Sequence, residues 1–309
     1  MNNELAIKKT KKIIKDIPVW RRREAMAGYL FALPWIIGFF GFTFYPMLLA
    51  LYYSFTNFDI LRPPVFVGLA NYQNLFADRL FIRSMQNTLY FVFVSVPLGM
   101  LIGLGIALLL NRDIKGIAAL RTAYYMPSIV PLVANTILWL WMFAPRSGIL
   151  TSLVRFFGMR PPGWLSDPAV ALNSLILMSL WSAGSGMIIY LAGLKNIPSV
   201  YYEAARIDGA GGIRQFFTIT LPLLTPTIFF QLIIGLIGSF QIFTQALIMT
   251  EGGPNDSTLT YVLYLYFNAF RFWRMGYASA MAWILFIMMF SITFINFILS
   301  KYWVNYDQS

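Results

Sequence analysis

The sequence contains neither cysteine nor histidine, and only 11% of its 309 residues are charged. Without those two residue types, disulfides, most zinc sites, Cys/His nucleophilic pairs and Ser/His triads are excluded. The chain also lacks a G-x-x-x-x-G-K-S/T phosphate loop, so it is not itself a P-loop ATPase. We therefore predict a non-enzymatic chain with no catalytic residue, no metal site and no cofactor of its own.

Apolar residues make up 59% of the chain and charged residues only 11%, whereas about 25% of the residues of a soluble domain are charged. Six stretches without charge each hold the roughly 20 apolar residues that a membrane-crossing helix requires. They predict helices near 28–53, 88–110, 123–144, 171–194, 226–249 and 276–300. A seventh stretch, 257–269, is too short and too polar to span a bilayer. The predicted fold class is an all-α integral membrane protein with six transmembrane helices.

The net charge of +11 is unevenly distributed along the chain. With the N-terminus inside, fifteen of the 23 lysines and arginines fall on inner segments, and every lysine is among them. Cytoplasmic loops of membrane proteins carry such an excess, so both termini are predicted to be cytoplasmic. Residues 1–24 form a basic cytoplasmic tail in this scheme, and 25–309 form the six-span domain. Basic residues of a membrane protein typically report orientation and anionic lipid, so nucleic acid is not an expected partner.

No acidic or basic residue lies inside a predicted span. Ion-driven transporters usually keep an ionisable group at mid-membrane, which disfavours a secondary transporter, although sodium sites built from backbone remain open. The uncharged polar residues are Trp181, Ser182 and Ser185 in helix four, and Ser239, Gln241 and Gln245 in helix five. They either form hydrogen bonds between helices or line a cavity, and amides beside aromatic rings suit a polyhydroxylated ligand.

The inner loop between helices four and five, at about 195–225, contains two predicted short helices. Pro198 and Ser199 can begin the first, and Gly209 ends it. A second helix is expected from about Ile213 to Pro222. Thirty ordered residues are more than a connection needs, so this loop is predicted to dock another protein.

The same loop resembles the EAA loop of ABC importer permeases, through Glu203-Ala204-Ala205, Asp208-Gly209-Ala210 and Ile219-x-Leu221-Pro222. Further segments resemble the maltose-type carbohydrate permeases: Gly68-Leu-Ala-Asn-Tyr, Asn87-Thr88, Trp164-Leu165, Leu191-Ala-Gly-Leu194, Gly252-Gly253-Pro254 and Gly276-Tyr-Ala-Ser-Ala280. The resemblance covers about 28–305.

This resemblance implies a type I ABC importer permease fold in a bacterial or archaeal cell membrane. It implies a second permease chain, two ATPase subunits that bind ATP and magnesium, and an extracytoplasmic solute-binding protein. The coupling residues it implies are Glu203, Ala204, Ala205, Asp208, Gly209, Leu221 and Pro222. The substrate pathway it implies contains Trp181, Ser182, Ser185, Ser239, Gln241 and Gln245.

The predicted function is therefore the membrane-spanning subunit of an ATP-driven sugar importer. Two alternatives remain at this point. The same type of importer could carry glycerol phosphate or an anionic oligosaccharide, since eight arginines fall on outer segments. A secondary transporter, which needs no ATPase, is the alternative from another class.

Overall fold

A computed structural model describes residues 19–112 and 115–306, and the described chain is mostly helical. Most of the predicted tail, residues 1–18, lies outside the described residues. The first half contains α1 Val19–Phe39, α2 Tyr45–Ser54, α3 Ala70–Ala77, α4 Arg79–Leu110, α5 Ile117–Ile129, α6 Leu132–Met142 and α7 Ile149–Phe156. The second half contains α8 Ala171–Leu180, α9 Gly184–Lys195, α10 Ser199–Ile207, α11 Gly212–Gln215, α12 Leu221–Phe240, α13 Thr244–Met249, α14 Tyr261–Tyr266 and α15 Met275–Trp303. Two short antiparallel strands, β1 Thr56–Asn57 and β2 Val65–Phe66, pair in the loop after α2.

Five helices of the described chain are long and apolar enough to cross a membrane: Glu24–Ser54, Arg79–Leu110, Ala171–Lys195, Gly212–Met249 and Met275–Trp303. The pair α5 and α6 makes six if it is one span, and it bends by 97°. The predicted third span, 123–144, is therefore not one straight helix. Pro131 causes the bend, because it lacks an N–H and forces Val130 into an extended conformation (φ −65°, ψ 128°).

Helix boundaries differ from the predicted ones at three spans. α1 is already helical at Val19, within the predicted tail, and α4 begins at Arg79 rather than near residue 88. The predicted separate helix from Ile213 to Pro222 is instead the start of the fifth span, which runs unbroken from Gly212 to Phe240. Ends that carry arginines extend these helices beyond the charge-free stretches that the bilayer argument detects.

Two spans contain a π-helical turn immediately before a proline. These turns are Phe40–Phe44, ahead of Pro46, and Phe216–Thr220, ahead of Pro222. A proline cannot donate to the carbonyl four residues earlier and its ring crowds that carbonyl, so the chain widens by one residue there. The π turn allows both helices to continue through the proline without breaking.

The second, fourth and fifth spans form the centre of the bundle. α4 packs against α8, α9 and α12, while the last span packs against α2 and α12. One apolar cluster lies between α4, α9 and α12, and a larger cluster joins α4, α8 and α14. This arrangement leaves polar side chains of three spans facing one another between the two clusters.

The loop before α14 is tied to the second span by buried hydrogen bonds. The Asn87 amide donates to the carbonyls of Asp256 (2.7 Å) and Leu259 (3.0 Å). The Thr88 hydroxyl accepts from the Tyr261 backbone N–H at 2.8 Å. These contacts hold the loop 250–261 against α4.

Candidate functional site

A cavity of about 390 Å³ lies between the second, fourth and fifth spans. The side chains that give it polarity are Ser95, Ser179, Ser182, Ser185, Gln231 and Ser239. Apolar residues such as Val96, Met100 and Ile234 form the rest of its wall. Its volume falls within the usual range of small-ligand sites, about 300–1,000 Å³.

Several polar groups of this cavity have no partner within the described part of the chain. The Ser95 hydroxyl is buried without a hydrogen bond, and Ser182, Gln231 and Ser239 make none through their side chains. Leaving such groups unpaired in a membrane is costly, so they favour water or a ligand that offers hydroxyls. The remaining serines are satisfied locally, because Ser179 donates to the Ile176 carbonyl (2.7 Å) and Ser185 to the Ser182 carbonyl (3.1 Å).

The structure brings together three of the six residues assigned to the substrate pathway. Ser182, Ser185 and Ser239 line this cavity. Trp181 instead lines a separate apolar cavity beside Tyr124, and its ring meets that of Trp139 at 6.0 Å. Gln241 lines a third cavity, against the last span.

The two amides Gln241 and Gln245 are not on one continuous helix, although both fall within the helix predicted at 226–249. The fifth span breaks between Phe240 and Thr244, so Gln241 lies in the break and Gln245 lies beyond it, in α13. The Thr260 hydroxyl donates to the freed Ile242 carbonyl at 3.0 Å, which satisfies the broken backbone. That partner is 18 residues away in sequence, so helix periodicity cannot reveal the break.

Sequence reasoning did not assign Ser95, Ser179 or Gln231 to the pathway. A signal for Gln231 exists, because Gln231, Gly235 and Ser239 recur at four-residue spacing and therefore share one face of α12. Ser95 and Ser179 carry no comparable signal, since lone serines are common in membrane helices.

The loop at about 195–225 contains the first predicted helix and the predicted glycine at its end. α10 spans Ser199–Ile207 and ends at Gly209, whose φ is +76°. The Gly209 N–H bonds the Arg206 carbonyl (3.1 Å), and the Ala210 N–H bonds the Ala205 carbonyl (2.8 Å). These two bonds form a Schellman motif, in which the left-handed residue is normally glycine. The prediction that Gly209 ends this helix is confirmed.

One side of this loop is exposed and makes no contact with the rest of the described chain that would cover it. Glu203, Ala204, Asp208 and Gly209 are exposed, whereas Ala205 is half-buried. Within the described residues Glu203 forms no ion pair, not even with Arg206, which is about one helical turn further along α10. Ile207 and Ile213 are 87% and 80% exposed. Large apolar side chains exposed on a loop outside the membrane indicate an interaction surface.

Leu221 and Pro222 lie in the first turn of α12, directly after the π turn, and both are half-buried. Tyr202 of α10 is hydrogen-bonded to Thr220 through their hydroxyls, at 2.9 Å. The Gln215 amide donates to the Ala210 carbonyl at 2.7 Å. The loop is therefore fixed to the start of the fifth span.

Residues 95–304 match the family described as the binding-protein-dependent transport system inner membrane component. The chain is also 46% identical to a probable ABC transporter permease protein, YesP, of Bacillus subtilis, over 93% of this chain and 94% of that protein. The chain belongs to this family. It is a multi-pass membrane permease, a non-catalytic subunit of an ABC importer, as the EAA loop predicts.

Other comparisons place the chain among carbohydrate-type permeases. It is 34% identical to the trehalose/maltose transport system permease protein MalF of Thermococcus litoralis, over 88% of this chain and 93% of that protein. A solved bacterial ABC transporter involved in importing the acidic polysaccharide alginate superposes with a TM-score of 0.82, at 25% identity, covering 92% of this chain and 98% of that chain. These findings confirm the predicted resemblance and the type I importer permease fold. They also rule against a secondary transporter.

Proposed function

We propose that this permease forms half of a sugar pore with a second permease chain, and that two ATPase subunits and an extracytoplasmic binding protein complete the importer. Both termini lie in the cytoplasm in this assembly. The observation that carries the coupling role is the α10 loop, which is exposed, apolar at Ile207 and Ile213, and fixed to the fifth span. ATP-driven closure of the ATPases moves α10, and with it α12, so that the cavity opens to the other side.

The cargo proposal rests on the cavity between the second, fourth and fifth spans. Its unpaired Ser95, Gln231 and Ser239 side chains lie beside apolar wall, which matches a molecule with many hydroxyls and apolar ring faces. None of its lining residues is charged. A neutral sugar is therefore favoured over a phosphate or uronate, whose charge would be left without a counter-ion there.

The direct test is reconstitution of the assembled importer in vesicles, with uptake of radiolabelled sugars presented by its binding protein. Uptake that requires both ATP inside the vesicles and the binding protein outside them supports the proposal. Uptake driven by an ion gradient, without an ATPase subunit, contradicts it.

The orientation can be tested with single cysteines, because the chain has none of its own. We expect Gln73→Cys and Ser147→Cys to react with an impermeant maleimide from outside, since both positions are exposed on segments proposed to be outer. Lys195→Cys, exposed at the inner end of α9, should react only after permeabilisation. The opposite labelling pattern contradicts the proposed topology.

Removing a cavity amide should weaken sugar transport. We expect Gln231→Leu to raise the KM for uptake about fivefold, because one hydrogen bond to the sugar contributes about 1 kcal/mol. Gln241 and Gln245 remain assigned to the pathway, nearer its outer end, and Gln241→Leu should have a similar but smaller effect. If Gln231→Leu leaves the KM unchanged and Gln241→Leu raises it, the sugar pathway runs along the last span instead.

A further inference from the structure

A second polar cavity, of about 560 Å³, lies at the end of α4 opposite the coupling loop. Arg79, Arg83 and Gln86 line it from α4, and Asn255 and Asp256 line it from the loop before α14. Arg79 and Arg83 are one helical turn apart and therefore point the same way. The loop wall is fixed, because the Asn87 amide donates to the Asp256 carbonyl at 2.7 Å.

The two arginines are not neutralised within the described chain. The ion pairs among the described residues are Arg62–Asp59 and Arg271–Glu251, and neither involves Arg79 or Arg83. The adjacent Asp78 carboxylate is engaged elsewhere, since it accepts from the Leu80 N–H and from the hydroxyls of Tyr264 and Tyr277. Asp256 carries one negative charge into the cavity, which leaves a net charge of +1.

The length of α4 places these arginines beyond the lipid headgroups. The apolar stretch from Leu89 to Leu110 is long enough to cross the hydrocarbon core, about 30 Å thick. Ten residues separate Leu89 from Arg79, which is a height of about 15 Å above that core, and a typical tilt of about 20° shortens it only slightly. The headgroup layer accounts for only about 5–8 Å on each side. Arg79 therefore faces water and whatever protein approaches from outside.

We propose that this cavity receives an acidic side chain of the extracytoplasmic binding protein when that protein docks. The inference rests on the proposed function, which supplies the binding protein and the orientation. Two guanidinium groups offer paired N–H donors to one carboxylate, and the amides of Gln86 and Asn255 add further donors around it. The resulting pairs steer the binding protein and fix its register on this subunit.

The test uses the assembled importer in phosphatidylcholine vesicles, with ATP hydrolysis measured against binding-protein concentration. We expect the double substitution Arg79→Gln with Arg83→Gln to raise the half-maximal concentration of binding protein about tenfold at low salt, and less at high salt, where charges are screened. Basal hydrolysis and the maximal stimulated rate should be unchanged. The matched control is Arg62→Gln, because Arg62 is on an outer loop, does not line the cavity and forms an exposed pair with Asp59. This variant should change the half-maximal concentration less than twofold.

An unchanged half-maximal concentration in the double variant overturns the docking proposal. An effect that appears only in vesicles containing phosphatidylglycerol overturns it too, because the arginines then act on lipid headgroups. A wild-type importer that no binding protein stimulates contradicts the proposed function itself, which is a distinguishable result. If the double variant fails to retain its ATPase subunits, the proposal is tested by cross-linking instead. Gln86→Cys in the otherwise cysteine-free chain should cross-link to the docked binding protein. Absence of this cross-link overturns the proposal.

Discussion

Gly209→Val should abolish sugar uptake while the chain still inserts and folds. At φ +76° a non-glycine residue costs about 1–2 kcal/mol, and a β-branched residue is worse still. The Schellman motif would open, and the end of α10 with its exposed Ile207 would leave its position relative to Ala205 and Asp208. We expect ATPase subunits to dissociate more readily, or to hydrolyse ATP without responding to loaded binding protein.

Two further substitutions separate the backbone effect from the docking contact. No atom of the described chain lies within 4 Å of a Cβ placed at Gly209, so a loss of function has no intramolecular clash behind it. Gly209→Asn keeps access to the left-handed conformation, so uptake should survive in this variant if conformation alone is decisive. Gly212→Ala, in the same loop but without positive φ and also in open space, is the matched control and should leave uptake unchanged. Wild-type ATPase association and stimulation in Gly209→Val would mean that this loop is not the coupling element.

Gly184→Ala should destabilise the whole membrane bundle. A Cβ at this position would lie 1.9 Å from the Tyr124 carbonyl oxygen and 2.9 Å from its carbon. These are backbone atoms of α5, so no side chain can rotate away, and α9 must separate from the bent third span. Overpacking of this kind typically costs 1–3 kcal/mol and occasionally more, and a contact this close belongs to the upper part of that range.

The measurement is the midpoint of thermal unfolding in detergent, together with uptake in vesicles. Gly105→Ala is the matched control, because it adds the same methyl group inside α4 with no atom of the described chain within 4 Å. The control should be neutral or more stable by up to about 1 kcal/mol, since alanine is the better helix former. Equal unfolding midpoints for the two variants would show that α5 and α9 do not approach as closely as described.

The position of α10 was predictable because the residues that determine it are close together in the sequence. A proline and a serine begin α10, a glycine ends it, and the backbone bonds that close its end join residues within a few positions of each other. The sequence missed only that the following helix is continuous with the fifth span. The Phe216–Thr220 π turn carries the helix through Pro222, where a proline would ordinarily suggest a boundary.

The composition of the candidate cavity was only half predictable. Ser182, Ser185 and Ser239 were assigned from their polarity and from family resemblance, and the structure places them together. Gln231 and Ser95 complete the cavity, yet nothing local marks Ser95 as different from a serine that bonds its own helix. Which face of a helix meets a cavity depends on how three spans pack.

The amino-acid sequence by itself determined that the chain spans a membrane, that it lacks cysteine, histidine and a phosphate loop, and where α10 begins and ends. These properties follow from apolar length, missing residue types and short-range capping. Only the tertiary structure decided the 97° bend of the third span, the break at Gln241–Phe243 and the residues that share the cavity. The break is stabilised by Thr260, 18 residues beyond Ile242, and the cavity by three spans far apart in sequence. Contacts of that range are set by packing, and residue periodicity along one helix carries no record of them.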